Sequence, residues 1–129
     1  LSSSSAASDV YKRQVVLGDF NIAPNDDDIY DPEAWKDRIL CSKKERHALK
    51  EILDLGFKDS FRIFEQDKEL YSWWDYRTGA FRRNRGLRID LILSNTALSK
   101  KCSSSYIDTL PRKNERPSDH TPVVSVFDI

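Results

Sequence analysis

The chain has 129 residues, with 21 basic and 21 acidic side chains, 39% hydrophobic residues and 11% aromatic ones. That is one domain by length, able to bury roughly two-thirds of its unfolded surface and too apolar to be disordered throughout. No apolar run approaches the roughly 18 residues of a membrane-spanning helix. Cys41 and Cys102 lie far apart with no C-x-x-C spacing, which argues against a zinc site or disulfide framework and for two reduced thiols of a cytoplasmic protein.

Residues 1–14 read LSSSSAASDVYKRQ, a serine tract and a polar run without periodicity. This segment is expected to be a disordered, non-native tail, and the folded unit is placed at residues 15–129. Residues 15–17 form a short apolar run stopped by Gly18, the pattern of a buried strand. Asn25 to Asp28 make an acidic turn after Pro24. Asp31-Pro32 then offers an N-cap and a proline at the first helical position, predicting a short helix through Leu40. Ser42-Lys43-Lys44-Glu45 has the capping-box pattern, and Ala48, Leu49, Ile52 and Leu53 follow at helical spacing up to Gly56. Lys43, Lys44 and Arg46 are expected on its solvated face, with His47 exposed or structural. Residues 70–74, 88–94 and 122–127 read as strands. Short strands among helices and polar loops predict an α/β or α+β layered domain.

The neutral total conceals a division. Residues 19–76 carry nine basic and fifteen acidic side chains, whereas residues 77–116 carry ten basic and three acidic. The second stretch, densest at Arg82, Arg83, Arg85 and Arg88, could be a phosphate-facing surface or simply a solvated arginine-rich loop.

Three constellations could carry chemistry, each beside a predicted strand. Asp19 and Asn21 stand two apart after residues 15–17, expected on one side of an extended segment. Such a pair combines a base or hard-cation ligand with a neutral hydrogen-bonding amide. Asp90 interrupts the apolar run Ile89-Asp90-Leu91-Ile92-Leu93, where a carboxylate costs several kcal/mol unless it is paired or bonded. Ser118-Asp119-His120 sets a carboxylate beside an imidazole ahead of the last strand. Singly, each also reads as an ordinary turn or a buried structural carboxylate.

Taken in order, four segments resemble the exonuclease III family of abasic-site endonucleases. They are Gly18-Asp19-Phe20-Asn21-Ile22-Ala23-Pro24, Tyr71-Ser72-Trp73-Trp74-Asp75-Tyr76-Arg77, Asn84-Arg85-Gly86-Leu87-Arg88-Ile89-Asp90 and Arg116-Pro117-Ser118-Asp119-His120-Thr121-Pro122-Val123. The resemblance implies a two-sheet sandwich with outer helices, of which this chain would supply about one sheet as the carboxyl-terminal half. It implies Asp19 as general base, Asn21 as the residue that orients the attacking water, and Asp90 as the partner of a protonated His120. Asp119 would be a metal-site carboxylate for Mg2+, with Mn2+ as the substitute. Trp73, Leu87 and Ile89 would line a slot for a base-less sugar, with Arg77 and Asn84 as further substrate contacts and Trp74 in the core. The implied partner is double-stranded DNA with abasic sites or 3′ ends, and no membrane. The implied full-length protein is a monomer.

The family's amino-terminal half supplies a metal-binding Glu, a further Asn and a phosphate-contacting Tyr, none of which has a counterpart here. The expectation is therefore a fragment that folds poorly by itself and has no more than trace nuclease activity. Two other classes fit part of the pattern: a superfamily phosphodiesterase acting on a lipid or inositol phosphate, and a non-catalytic DNA-binding fragment.

Overall fold

Strand β1 (Val15–Asp19) runs antiparallel to β5 (Asp90–Asn95), and the register sets Val15 opposite Ser94 and Asp19 opposite Asp90. The computed structural model describes residues 12–129; the expectation of a disordered tail falls almost wholly outside them. On the other side of β5 lies the three-residue β2 (Phe57–Asp59), so β5 is the centre of a three-stranded antiparallel sheet. Two further antiparallel ladders complete the architecture. One pairs β3 (Trp73–Trp74) with β4 (Gly86–Leu87), and the other pairs β6 (Cys102–Ile107) with β7 (Val123–Phe127).

The alternation of β5 decides how this sheet is covered. Leu91 and Leu93 point to one face and are fully buried under Leu49, Ile52 and Leu53 of helix α2 (Lys43–Asp54), with Phe20, Ile22 and Phe57 beside them. α2 starts where the sequence predicts: Ser42 Oγ accepts from the Glu45 amide at 3.2 Å. The Glu45 carboxylate, however, reaches past the cap and accepts from the Leu40 amide at 2.9 Å, tying the preceding loop to the helix. The opposite face carries Asp90 and Ser94, the latter in a buried hydroxyl chain with Ser60 and Ser99. β1 is not the buried strand that its apolar run predicts: Val15, Val16 and Leu17 are exposed, because β1 is an edge strand of this sheet, paired on one side only.

The helix expected through Leu40 is only four residues long, α1 (Pro32–Trp35), capped by Asp31. Asp37 and Leu40 adopt positive φ of 59° and 78°, and the chain folds back so that the Leu40 carbonyl accepts from the Ala23 amide. This fold-back encloses a second core of Ala23, Ile29, Cys41, Leu87 and Ile89. A third core joins Tyr71, Trp74 and Ala80. Within it Gly86 is required by contact: a Cβ there would stand 2.5 Å from the Trp74 indole nitrogen. A last four-residue helix, α3 (Thr96–Ser99), follows β5 and is capped by Asn95.

Two charged residues depart from the sequence expectation. Arg46 is not simply on a solvated face: its guanidinium donates to the Ala23 carbonyl and to Asp26, pinning α2 to the loop after β1. Arg88 does not belong to a phosphate-facing surface. It is 1% exposed and pairs with Asp28 at 2.7 Å and Asp59 at 2.5 Å, and Arg62 adds a further bond to Asp28. Burial opposes its charge, but the two carboxylates outweigh that and raise its pKa. The positive charge of this part of the chain is thus partly spent inside the fold.

Candidate active site around His120

Asp19 and Asp90 are register partners on β1 and β5, so strand pairing alone brings the two carboxylates together. Gly18, at φ 145°, gives the last turn of β1 a conformation that side chains rarely adopt. Beyond Asp19 the strand stops. Asn21 sits at φ 54°, in the left-handed region that Asn tolerates, and its amide donates to Asp19 Oδ1 at 3.0 Å. Asp19 and Asn21 are therefore joined by a side-chain-to-backbone turn rather than lying along one extended face, as the sequence pattern predicts.

His120 enters from the turn before β7. Backbone pairing fixes that turn: Trp73 and His120 form a β-bridge, the Trp74 amide donates to the Asp119 carbonyl, and the Thr121 amide donates to the Ser72 carbonyl. The ring then lies between the two strand carboxylates. Its Nδ1 is 2.8 Å from Asp90 Oδ2 and its Nε2 is 3.5 Å from Asp19 Oδ2. Ser72 Oγ caps the other side of this arrangement by accepting from the amides of Ile89 and Asp90, both at 3.1 Å. Ser72 lies within the second family-like segment but received no role there; the amide contacts supply one.

The electrostatics follow from this packing. Burial pushes Asp90 above the ordinary carboxylate range, and the His120 and Ser72 bonds offset only part of that. For His120 burial works against the charged ring, yet the bond and charge of Asp90, with Asp19 and Asp119 nearby, outweigh it and raise the pKa. The short Asp90 bond fixes Nδ1 as a donor and leaves Nε2 facing outward. At 3.5 Å the Nε2–Asp19 approach is too long for a firm hydrogen bond, so that corner is open to an incoming group.

Asp119 lies at the margin. Its Oδ1 is 3.9 Å from His120 Nε2, and its Oδ2 accepts from the Trp73 indole at 3.0 Å. Among the described residues, Asp19, Asp90 and His120 form a set of metal-competent atoms, all within 4.8 Å of one another. Since Asp90 and His120 are bonded to each other, the hard donor of that set left over is Asp19 Oδ2, its Oδ1 accepting from the Asn21 amide, while Asp119 Oδ1 lies 3.9 Å from the same His120 Nε2. Two partly exposed carboxylates suit a hard, oxygen-preferring cation that keeps most of its water.

The remaining expected substrate contacts are placed less openly. Leu87 and Ile89 are 0% and 2% exposed and belong to the core with Ala23 and Ile29, so neither side chain faces solvent. Trp73 is half-buried against that core, while Trp74 is fully buried, as the sequence reading assigns it. Asn84 holds structure: its amide oxygen accepts from the Trp74 indole and its amide nitrogen donates to the Glu69 carbonyl. Arg77 is exposed and clasps Asp75 through Nε and Nη2. The groove of about 440 Å³ between Tyr30, Arg62, Gln66 and Tyr71 shares no wall with the His120 cluster.

Comparison with known proteins points the same way. The profile of the endonuclease/exonuclease/phosphatase family matches residues 6–120. Exodeoxyribonuclease III of Haemophilus influenzae is 38% identical over 120 residues, covering 88% of this chain and 45% of that protein. A 3′ phosphatase from Neisseria, solved with its product DNA hairpin, superimposes with a TM-score of 0.88 at 46% identity, covering 91% of this chain and 46% of its own. An AP endonuclease from Archaeoglobus fulgidus gives a TM-score of 0.86 at 38% identity, over 93% of this chain and 47% of its own. The chain spans about half the length of these relatives.

Proposed function

Because the chain belongs to the endonuclease/exonuclease/phosphatase family, and its relatives are DNA exonucleases and AP endonucleases, we propose that it carries part of a DNA-repair nuclease. Its reaction is phosphodiester hydrolysis, on the 5′ side of abasic sites and from 3′ ends of duplex DNA. The observation that carries this reading is the His120 ring held between Asp90 and Asp19.

Each residue has a physical task in that reaction. Asp19 takes a proton from the attacking water, and Asn21, linked to it through the turn, holds that water and a phosphate oxygen. Protonated His120 donates from Nε2 to a phosphoryl oxygen, where negative charge grows during attack. Asp90 keeps the ring charged and aimed. Asp119 would hold a magnesium or manganese ion, which would supply positive charge to the phosphate. Trp73, at the edge of this surface, is the apolar contact for a base-less sugar, with Leu87 and Ile89 as the packed layer behind it. Arg77, Arg82, Arg83 and Arg85 provide sequence-independent phosphate contacts.

Substrate choice tests the reading. Cleavage of a duplex carrying one abasic analogue, with no hydrolysis of sphingomyelin or an inositol polyphosphate, supports it. The reverse preference assigns the site to another phosphodiesterase, and salt-dependent DNA binding without cleavage, unchanged by Asp19→Ala, assigns the chain to a binding role.

A further inference from the structure

Three consecutive carbonyls ahead of His120 each receive one donor. Pro117 accepts from the Tyr76 hydroxyl at 2.9 Å, Ser118 from Arg112 Nη1 at 2.7 Å, and Asp119 from the Trp74 amide at 3.0 Å. The middle bond is unusual in its donor. Arg112 is 7% exposed, and no carboxylate among the described residues forms an ion pair with it. Its Nε is buried without a hydrogen-bond partner. The guanidinium instead lies over three rings, 4.6 Å from the centroid of Phe81, 5.6 Å from Trp74 and 5.9 Å from Tyr76. Trp74 and Phe81 meet edge-to-face at 5.0 Å, so this platform is itself rigid.

A buried arginine without an acid is costly unless ring faces and a carbonyl compensate it. Here the compensation runs in one direction, from the aromatic core to the backbone of Ser118, two residues before the ring that bonds Asp90. We infer that Arg112 is a positioning residue: it locks the turn at residues 117–120 on the Trp74–Phe81 platform and thereby sets where the His120 ring and the Asp119 carboxylate stand. This rests on the reading of the Asp90–His120 pair as catalytic, but the contacts themselves do not depend on the substrate. A lysine cannot reproduce the planar stacking while it reaches Ser118, since its ammonium is a point charge.

The test uses the whole 15N-labelled chain, unsubstituted and as Arg112→Met and Arg112→Lys. His120 ring resonances and the Trp73 indole proton report the turn, because Trp73 donates to Asp119. His47, exposed on α2, and amides of the β1–β5 ladder report everything else. The inference expects the His120 and Trp73 signals in Arg112→Met to move toward their values in free peptides, with His47 and the ladder amides unmoved. Arg112→Lys should shift the same two signals by a smaller amount. Unchanged His120 and Trp73 signals in Arg112→Met, or ladder amides lost to the same degree as the turn, would overturn it and leave Arg112 a residue of general stability. These signals are read without DNA, so the selective shift keeps the positioning role even where the nuclease reading fails.

Discussion

The Asp90 carboxylate and the His120 imidazole meet at 2.8 Å although thirty residues separate them in sequence. One comes from the central strand of the three-stranded sheet, the other from a turn held to Ser72, Trp73 and Trp74. Partial burial raises the acid, the contact with the ring offsets part of that rise, and the same contact raises the imidazole.

Replacing the acid should release the ring. In Asp90→Asn the His120 pKa is expected to fall, because burial then acts with less opposition, Asp19 and Asp119 alone still favouring the charged ring. The carbon-bound ring protons of the chain's two histidines, followed by NMR across pH, check this, with His47 as internal reference. An unmoved His120 would mean that Asp90 does not govern its charge.

The same contact sets a pH dependence of stability. His120 binds its proton more tightly in the folded chain than in the unfolded one, so its stabilisation is complete below about pH 6.5 and falls as pH rises through its raised value. Asp90 is also raised, so its contribution is complete below about pH 3.9 and falls as pH rises through its own higher value. Urea midpoints measured from pH 6 to 9 should decline for the unsubstituted chain, and the decline should flatten in Asp90→Asn.

Arg88 holds two acids inside the fold, one of them, Asp28, wholly buried. Arg88→Met would leave Asp59 without this partner and Asp28 with Arg62 and the Asn25 amide, at an expected cost of about 3–5 kcal/mol in denaturant unfolding. A loss below about 1 kcal/mol would show that the carboxylates find other partners or water.

Arg82 and Arg83 are exposed and face no acid among the described residues. If they lie along DNA phosphates, Arg82→Ala with Arg83→Ala should leave stability within about 0.5 kcal/mol and reduce the slope of log K against log salt by roughly 2. Fluorescence anisotropy with a labelled duplex measures that slope, and an unchanged value would place the phosphates elsewhere.

Local rules carried much of this architecture. The apolar run before Gly18, the Ser42 cap of α2 and the carboxylate within the β5 run are each set by near neighbours, and each stands within a few residues of where the sequence puts it. The pairing of Asp90 with His120 came from family resemblance, since spacing alone cannot bring together residues on unlinked elements. What stayed hidden depends on long-range partners. β6 reads Cys-Ser-Ser-Ser-Tyr-Ile and has little apolar signal, because Ser105 answers Ser125 at 2.9 Å instead of filling a core. Arg88 and Arg112 look like surface charge in a basic stretch, and only the positions of Asp28, Asp59 and the Trp74–Phe81 platform turn them inward. Asn84 looks like a substrate contact because nothing nearby in sequence discloses that Trp74 and Glu69 already occupy it.

Single-turnover incision of a duplex with one abasic analogue, with the protein in excess, tests the central assignment of Asp19 and His120 most directly. The account predicts a nick on the 5′ side of the abasic site that is abolished by a chelator and restored by magnesium, and that Asp19→Asn and His120→Gln each slow by at least about a hundredfold. Incision that survives either substitution or the chelator would contradict it.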